Sequence, residues 1–88
     1  MEIIVNLSRQ ENINFYGAKQ IKIDIEEYVR GVVASEVGNT YVEACKAQAV
    51  AARTFALRKC SSTGQITDKS SKDQAFRASR LSCAYPNV

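Results

Sequence analysis

Two helix-forming stretches separated by three turn residues constrain this chain more than any other feature. In residues 28–38, YVRGVVASEVG, Val29, Val32 and Val33 fall on one helical face. The pattern predicts a helix from about residue 25 to residue 36 or 37. Asp24 starts it, with Glu27 three places on in a capping-box arrangement and two acids in the first turn to suit the helix dipole. Gly38 and Asn39 end it. Gly31 in its middle costs about 1 kcal/mol relative to alanine, so a neighbouring element is expected to approach closely there. The second stretch, residues 41–60, is alanine-rich. Ala44, Ala47, Ala51 and Phe55, with Val50, Thr54 and Leu57 beside them, are expected to form its broad apolar face. The short Gly-Asn-Thr link makes the two helices an antiparallel or steeply angled pair.

Before the helices, EIIVNL is rich in β-branched residues and reads as a strand. QIKID, with Ile21, Ile23 and Ile25 on one face, reads as a second strand antiparallel to the first. The polar stretch between them reads as a connection, with Asn14 and Gly17 as turn residues. After Cys60, SSTGQITDKSSKDQ reads as loop, DQAFRASRLS as either a short helix or a strand, and CAYPNV as an irregular end. The expected class is therefore α+β: N-terminal β-hairpin-like strands, two packed α-helices and an irregular C-terminal segment. Over 88 residues this makes a single partial domain, with strands in 1–24, the helix pair in 25–60 and a loop-rich end in 61–88. A unit of this size buries only about 60–65% of the surface that its unfolded chain exposes.

Composition narrows the chemistry. A net charge of +3, without a basic block, an aromatic-interleaved basic stripe or zinc-finger spacing, gives nucleic-acid binding little support. Histidine is absent, which excludes Cys–His and Ser–His–Asp sites within this chain. The three cysteines, Cys45, Cys60 and Cys83, lack a C-x-x-C pair, and no metal or cofactor is implied. Cys45 reads as a small buried apolar residue, whereas Cys60 and Cys83 are free to pair but not required to. The N-terminal apolar run is too short to span a membrane and lacks the basic start of an export signal.

Glu36 is the informative residue, because it lands on the same face as Val29, Val32 and Val33. One reading is a last-turn glutamate that reaches solvent or pairs with Lys46, Arg53 or another base. The other starts from the helix C-terminus, where the dipole disfavours negative charge. With an apolar surround, that would favour the protonated form, which a general acid needs. Gln48 interrupts the alanine-rich helix and would need hydrogen-bond partners if buried. Arg53 is either a surface charge or a group that fixes a carboxylate or a loop carbonyl.

IDIEEYVRGVVASEV followed by EACKAQAVAARTFAL closely resembles the signature of the stage II sporulation protein D, or amidase-enhancer, family. The match is dense over residues 25–57, and ITDKSSKDQAF resembles the weaker Asp…Gln-x-aromatic segment, so the similarity covers about residues 21–76. The resemblance implies a lytic transglycosylase acting on peptidoglycan glycan strands, with one catalytic glutamate that maps onto Glu36. Gln48, Arg53, Tyr28 and Gln74 would bind substrate or support the site. It also implies a location in the cell envelope, an N-terminal membrane anchor that residues 1–88 do not contain, and a cell-wall amidase as partner. In that family further strands build the substrate groove, whereas here RASRLSCAYPNV follows. The expectation is an incomplete copy, an excised piece, or a form that completes its groove by self-association. A non-catalytic cell-wall-binding or amidase-stimulating module is the alternative.

Overall fold

The computed structural model describes residues 1–36 and 42–78. The elements run β1 (Glu2–Asn6), α1 (Gln10–Tyr16), β2 (Gln20–Asp24), α2 (Ile25–Glu36), α3 (Val42–Thr63) and β3 (Gln65–Thr67). The class is α+β, as expected. β1 is the central strand of the sheet order β2-β1-β3. It pairs antiparallel with β2, setting Ile3 opposite Ile23 and Val5 opposite Ile21, and parallel with β3, setting Val5 opposite Ile66. The alternation of β1 turns Ile3 and Val5 into the core.

Two elements lie where the sequence suggested only connections. The strands β1 and β2 are joined through α1 rather than by a simple turn. Gly17 is the left-handed residue that closes α1, with φ 69° and its N–H donating to the Ile13 carbonyl at 2.7 Å. Asn14 lies within α1, where its side chain accepts from Gln10. β3 lies within the stretch read as loop. With only three residues it has little periodicity of its own, and its place is fixed by pairing with β1 and by burial of Ile66.

α2 turns Ile25, Tyr28, Val29, Val32 and Val33 into the core, on the face expected. Asp24 begins it, with its carboxylate accepting from the Glu26 N–H at 2.9 Å and from the N-terminal amine at 3.1 Å. Those two bonds hold Asp24 below the usual carboxylate range. Glu27 does not complete a capping box. It accepts from the half-buried Tyr16 hydroxyl at 2.6 Å, tying α1 to α2.

α3 turns a different face inward from the one expected. Cys45, Ala49, Ala52 and Ala56 are buried, a stripe at i, i+4, i+7 and i+11. Ala44, Ala47, Ala51 and Thr54 are exposed, and Val50 and Phe55 retain 60% and 38% of their accessible surface. Alanines surround this helix, so hydropathy gives it no strong direction. Its rotation is set instead by contacts: the small inward stripe lets α2 and α3 approach closely, and Arg53 on its flank reaches the first turn of α2. The segment after β3 crosses α2 at Gly31, where the Phe76 ring occupies the space a Cβ would need and the Arg77 N–H faces the Gly31 carbonyl at 3.4 Å. Only the 310 turn at Ala78 is regular there, and residues 79–88, including Cys83, lie outside the described residues.

Candidate functional site

Glu36 ends α2. The inward stripe of that helix stops at Ala34, Ser35 is half-buried and Glu36 is exposed. Among the described residues, the apolar stripe thus gives Glu36 no buried surround, as in the reading of a last-turn glutamate that reaches solvent. Among the described residues, Lys46 pairs with Glu43 at 4.0 Å and Arg53 with Glu26, so neither basic partner considered for Glu36 is engaged with it.

Two of the other motif residues, Tyr28 and Arg53, sit at the first turn of α2. Arg53 grips Glu26 with a two-pronged contact, Nε to Oε2 at 2.8 Å and an Nη to Oε1 at 2.6 Å. That contact holds Glu26 below the usual carboxylate range. Glu26 is ten residues before Glu36, about 15 Å along the helix. Tyr28 is fully buried, stacked on Phe76 with ring centroids 5.2 Å apart, and its hydroxyl donates to the Thr67 carbonyl at 3.0 Å. Burial raises its ionisation well above the ordinary phenol range. Gln74 donates to the Ala52 carbonyl at 3.3 Å. Gln48 is half-buried on α3. Tyr28, Gln74 and Arg53 thus join α2, α3, β3 and the following segment, and the structure does not bring them together with Glu36. Arg53→Lys, which keeps the charge and loses the fork, is expected to cost about 0.5–1 kcal/mol in a denaturant melt.

Sequence reasoning missed the main polar centre. Asp68 and Asn12 are both fully buried. The Asp68 carboxylate accepts from the Ser8 N–H at 3.0 Å, the Ser8 hydroxyl at 2.8 Å, the Arg9 N–H at 3.0 Å and Asn12 Nδ2 at 2.9 Å. Asn12 Nδ2 also donates to the Phe76 carbonyl at 2.7 Å, and its Oδ1 accepts from the Ala78 N–H at 2.9 Å. Burial alone would raise the Asp68 carboxyl, but the donors outweigh it and hold it below the usual range. Asp73 is a second such anchor, accepting from the Thr67 N–H at 2.8 Å and pairing with Lys59 at 3.1 Å. The signal available for α1 was the Ile13–Tyr16 spacing followed by Gly17. Nothing local marks Asn12 as buried.

Three hollows lie elsewhere. Three adjoining cavities, of about 370, 190 and 520 Å3, run along the C-terminal part of α3, β3 and the loop after it. All contain Lys72, and none contains Glu36. From Val42 to Lys59 is about 25 Å of helix, so these hollows and Glu36 lie toward opposite ends of α3. Cys60 is half-buried, with its thiol pushed up by burial and by Asp73, which opposes thiolate chemistry. Among the described residues, no group of three or more Cys, Asp or Glu is placed to hold a metal ion. No described helix is long and apolar enough to cross a membrane.

Fold and site define an α+β unit in which a glutamate-ended helix is clamped by a crossing aromatic segment and a small-residue helix. The family model described as stage II sporulation protein, SpoIID, matches residues 17–85, and the chain belongs to this family. The match extends four residues before and nine beyond the similarity visible by eye, and so takes in most of RASRLSCAYPNV. Over 37 residues the chain is 65% identical to the stage II sporulation protein D of Bacillus subtilis (strain 168). That stretch is 41% of this chain and 11% of the relative. No solved structure matches the chain significantly.

Proposed function

We propose that this chain carries the acid–base residue of a peptidoglycan lytic transglycosylase, and that the residue is Glu36. The observation supporting this reading is that Glu36 lies within the family match, at the solvent-facing end of a helix whose preceding turns are buried in the core. A protruding carboxyl on a rigid base can meet a glycan laid over it, and the glycan itself would then exclude water from the carboxyl. Glu36 would protonate the glycosidic oxygen between N-acetylmuramic acid and N-acetylglucosamine. The carboxylate so formed would take the proton of the muramoyl C6 hydroxyl as that oxygen closes on C1, giving a 1,6-anhydro ring. The nucleophile is tethered to the substrate, so its effective molarity replaces a second carboxylate. The setting is the cell envelope, and the partners are glycan strands and a cell-wall amidase that strips their peptides. The exposed Val50 and Phe55 of α3 are consistent with self-association.

A second reading has an observation in its favour. Glu36 lines none of the three cavities described above, and Tyr28, Arg53 and Gln74 are engaged in structural contacts. A non-catalytic cell-wall-binding or amidase-stimulating module would look the same. The test is incubation with peptide-free glycan strands and mass spectrometry of the products. Under the first reading 1,6-anhydro products form, and Glu36→Gln lowers their rate by at least about 100-fold. Activity surviving that substitution removes Glu36 from the chemistry. Binding without cleavage by the unaltered protein establishes the second reading.

A further inference from the structure

The three adjoining cavities form one open trough whose charge is unlike the rest of the surface. Lys59, Lys69, Lys72 and Arg58 line it against the single carboxylate of Asp73. That excess of three positive charges equals the net charge of the entire chain, +3. The remaining eight cations and eight acids therefore balance over the rest of the molecule. Among the described residues, Lys69, Lys72 and Arg58 have no carboxylate within ion-pair distance, while Lys59 is held in place by the buried Asp73.

The carboxylate and amide oxygens along the trough already face donors or a cation. Asp73 is occupied through both oxygens, by the Thr67 N–H and by Lys59. The Asn6 carbonyl oxygen of the side chain accepts from Gln20 at 2.8 Å, and Asn6 in turn donates to Gln65 Oε1 at 2.7 Å. What Gln65 has left to offer is its NH2 group. A wall rich in donors and cations is matched by a ligand made of acceptors. Neutral sugar hydroxyls need both kinds of partner, whereas a phosphate presents only acceptors and negative charge. Lysines act as point charges and suit tetrahedral phosphate, whereas planar carboxylate is best met by an arginine fork. The three cavities share lining residues, with Lys72 common to all, so the cations are spread along a line rather than gathered in one pocket, which fits a chain of phosphates better than a single small anion.

We propose that this trough binds a phosphate-bearing polymer, at a site separate from Glu36. The proposal does not rest on the catalytic reading, since it uses none of the residues at the α2–α3 junction. The test is binding of linear polyphosphate to the full chain, followed by backbone amide shifts at several salt concentrations. Inorganic phosphate and poly-glutamate serve as comparison ligands. Lys69→Gln with Lys72→Gln is expected to weaken polyphosphate binding by about tenfold or more and to flatten its salt dependence. Lys19→Gln with Lys46→Gln removes the same charge elsewhere and is expected to change affinity by less than about twofold. Lys69 and Lys72 are exposed, so the altered chain keeps its fold, which its amide spectrum reports directly. Equal weakening by the two pairs would reduce the effect to diffuse charge and overturn the proposal. So would poly-glutamate binding as tightly as polyphosphate, or no polyphosphate binding at low salt.

Discussion

Asp68→Ala is expected to lower the stability of the fold by about 3–5 kcal/mol. Alanine would take the acceptor from the part-buried Ser8 and Arg9 N–H groups and one of the two acceptors from buried Asn12 Nδ2, and a buried donor left without its acceptor costs about 1–3 kcal/mol. A chain of 88 residues commands on the order of 4–13 kcal/mol in total. The melting temperature should therefore fall by more than about 12 °C. Asp68→Asn keeps the shape but points an NH2 at donors, so it is expected to recover only part of the loss. The pH dependence has a definite sign. The folded carboxyl titrates below its unfolded value of about 3.9, so its stabilisation is present above that pH and is lost as pH falls through the folded value. Asp68→Asn should therefore flatten the acid limb of the stability–pH curve. An acid limb as steep as that of the unaltered chain would mean that other carboxylates carry it, Asp73 first among them.

The effect is large because Asp68 closes contacts that no single element makes. Its donors come from the start of α1, and Asn12 carries the network on to the Phe76 carbonyl and the Ala78 N–H. The sheet partner β3, the helix α1 and the segment that crosses α2 are thereby held by two side chains in contact. The motif helix inherits its position from this centre, since Phe76 is the residue that lies against Gly31. Any role of Glu36 at the far end of α2 depends on that placement.

Much of this was legible in the sequence where period and chemistry agree. The valines of α2 recur at helical spacing and are buried, β1 and β2 alternate and pair antiparallel, and the cost of Gly31 correctly implied a close neighbour. The inward face of α3 was not legible, because alanine on every side makes each stripe look alike, and a salt bridge and the size of the neighbours decide among them. α1 and β3 were missed because seven and three residues carry too little period to outweigh a polar composition. Asp68 and Asn12 were missed for a related reason: a buried polar residue is defined by partners 56 positions apart, and local spacing contains nothing of that. Of the two readings open for Glu36, its exposure fits the solvent-reaching one, because a residue on the core stripe is buried only as far as something packs against that turn.

Phe76→Ala is expected to cost about 3–5 kcal/mol, and the substitution at Gly31 shows why. The Phe76 ring is fully buried, stacked on Tyr28 and seated against the bare backbone of Gly31. In an unobstructed helix Gly→Ala gains about 1 kcal/mol. Here the new methyl would overlap Phe76 Cε1 and Cδ1, and a fully buried ring stacked on a second ring has little freedom to move aside. Overpacking of this kind costs about 1–3 kcal/mol, so Gly31→Ala in the unaltered chain should be destabilising despite the helical gain. In the Phe76→Ala background the obstruction is gone, and the same substitution should stabilise, by the helical term and by partly filling the void. The double-mutant cycle, read from urea midpoints, is therefore expected to show a coupling of more than about 1 kcal/mol with the sign of the Gly31 effect reversed. Additive effects would mean that the crossing segment does not seat on α2 through this contact, and that α2 owes its position to α3 and the sheet alone.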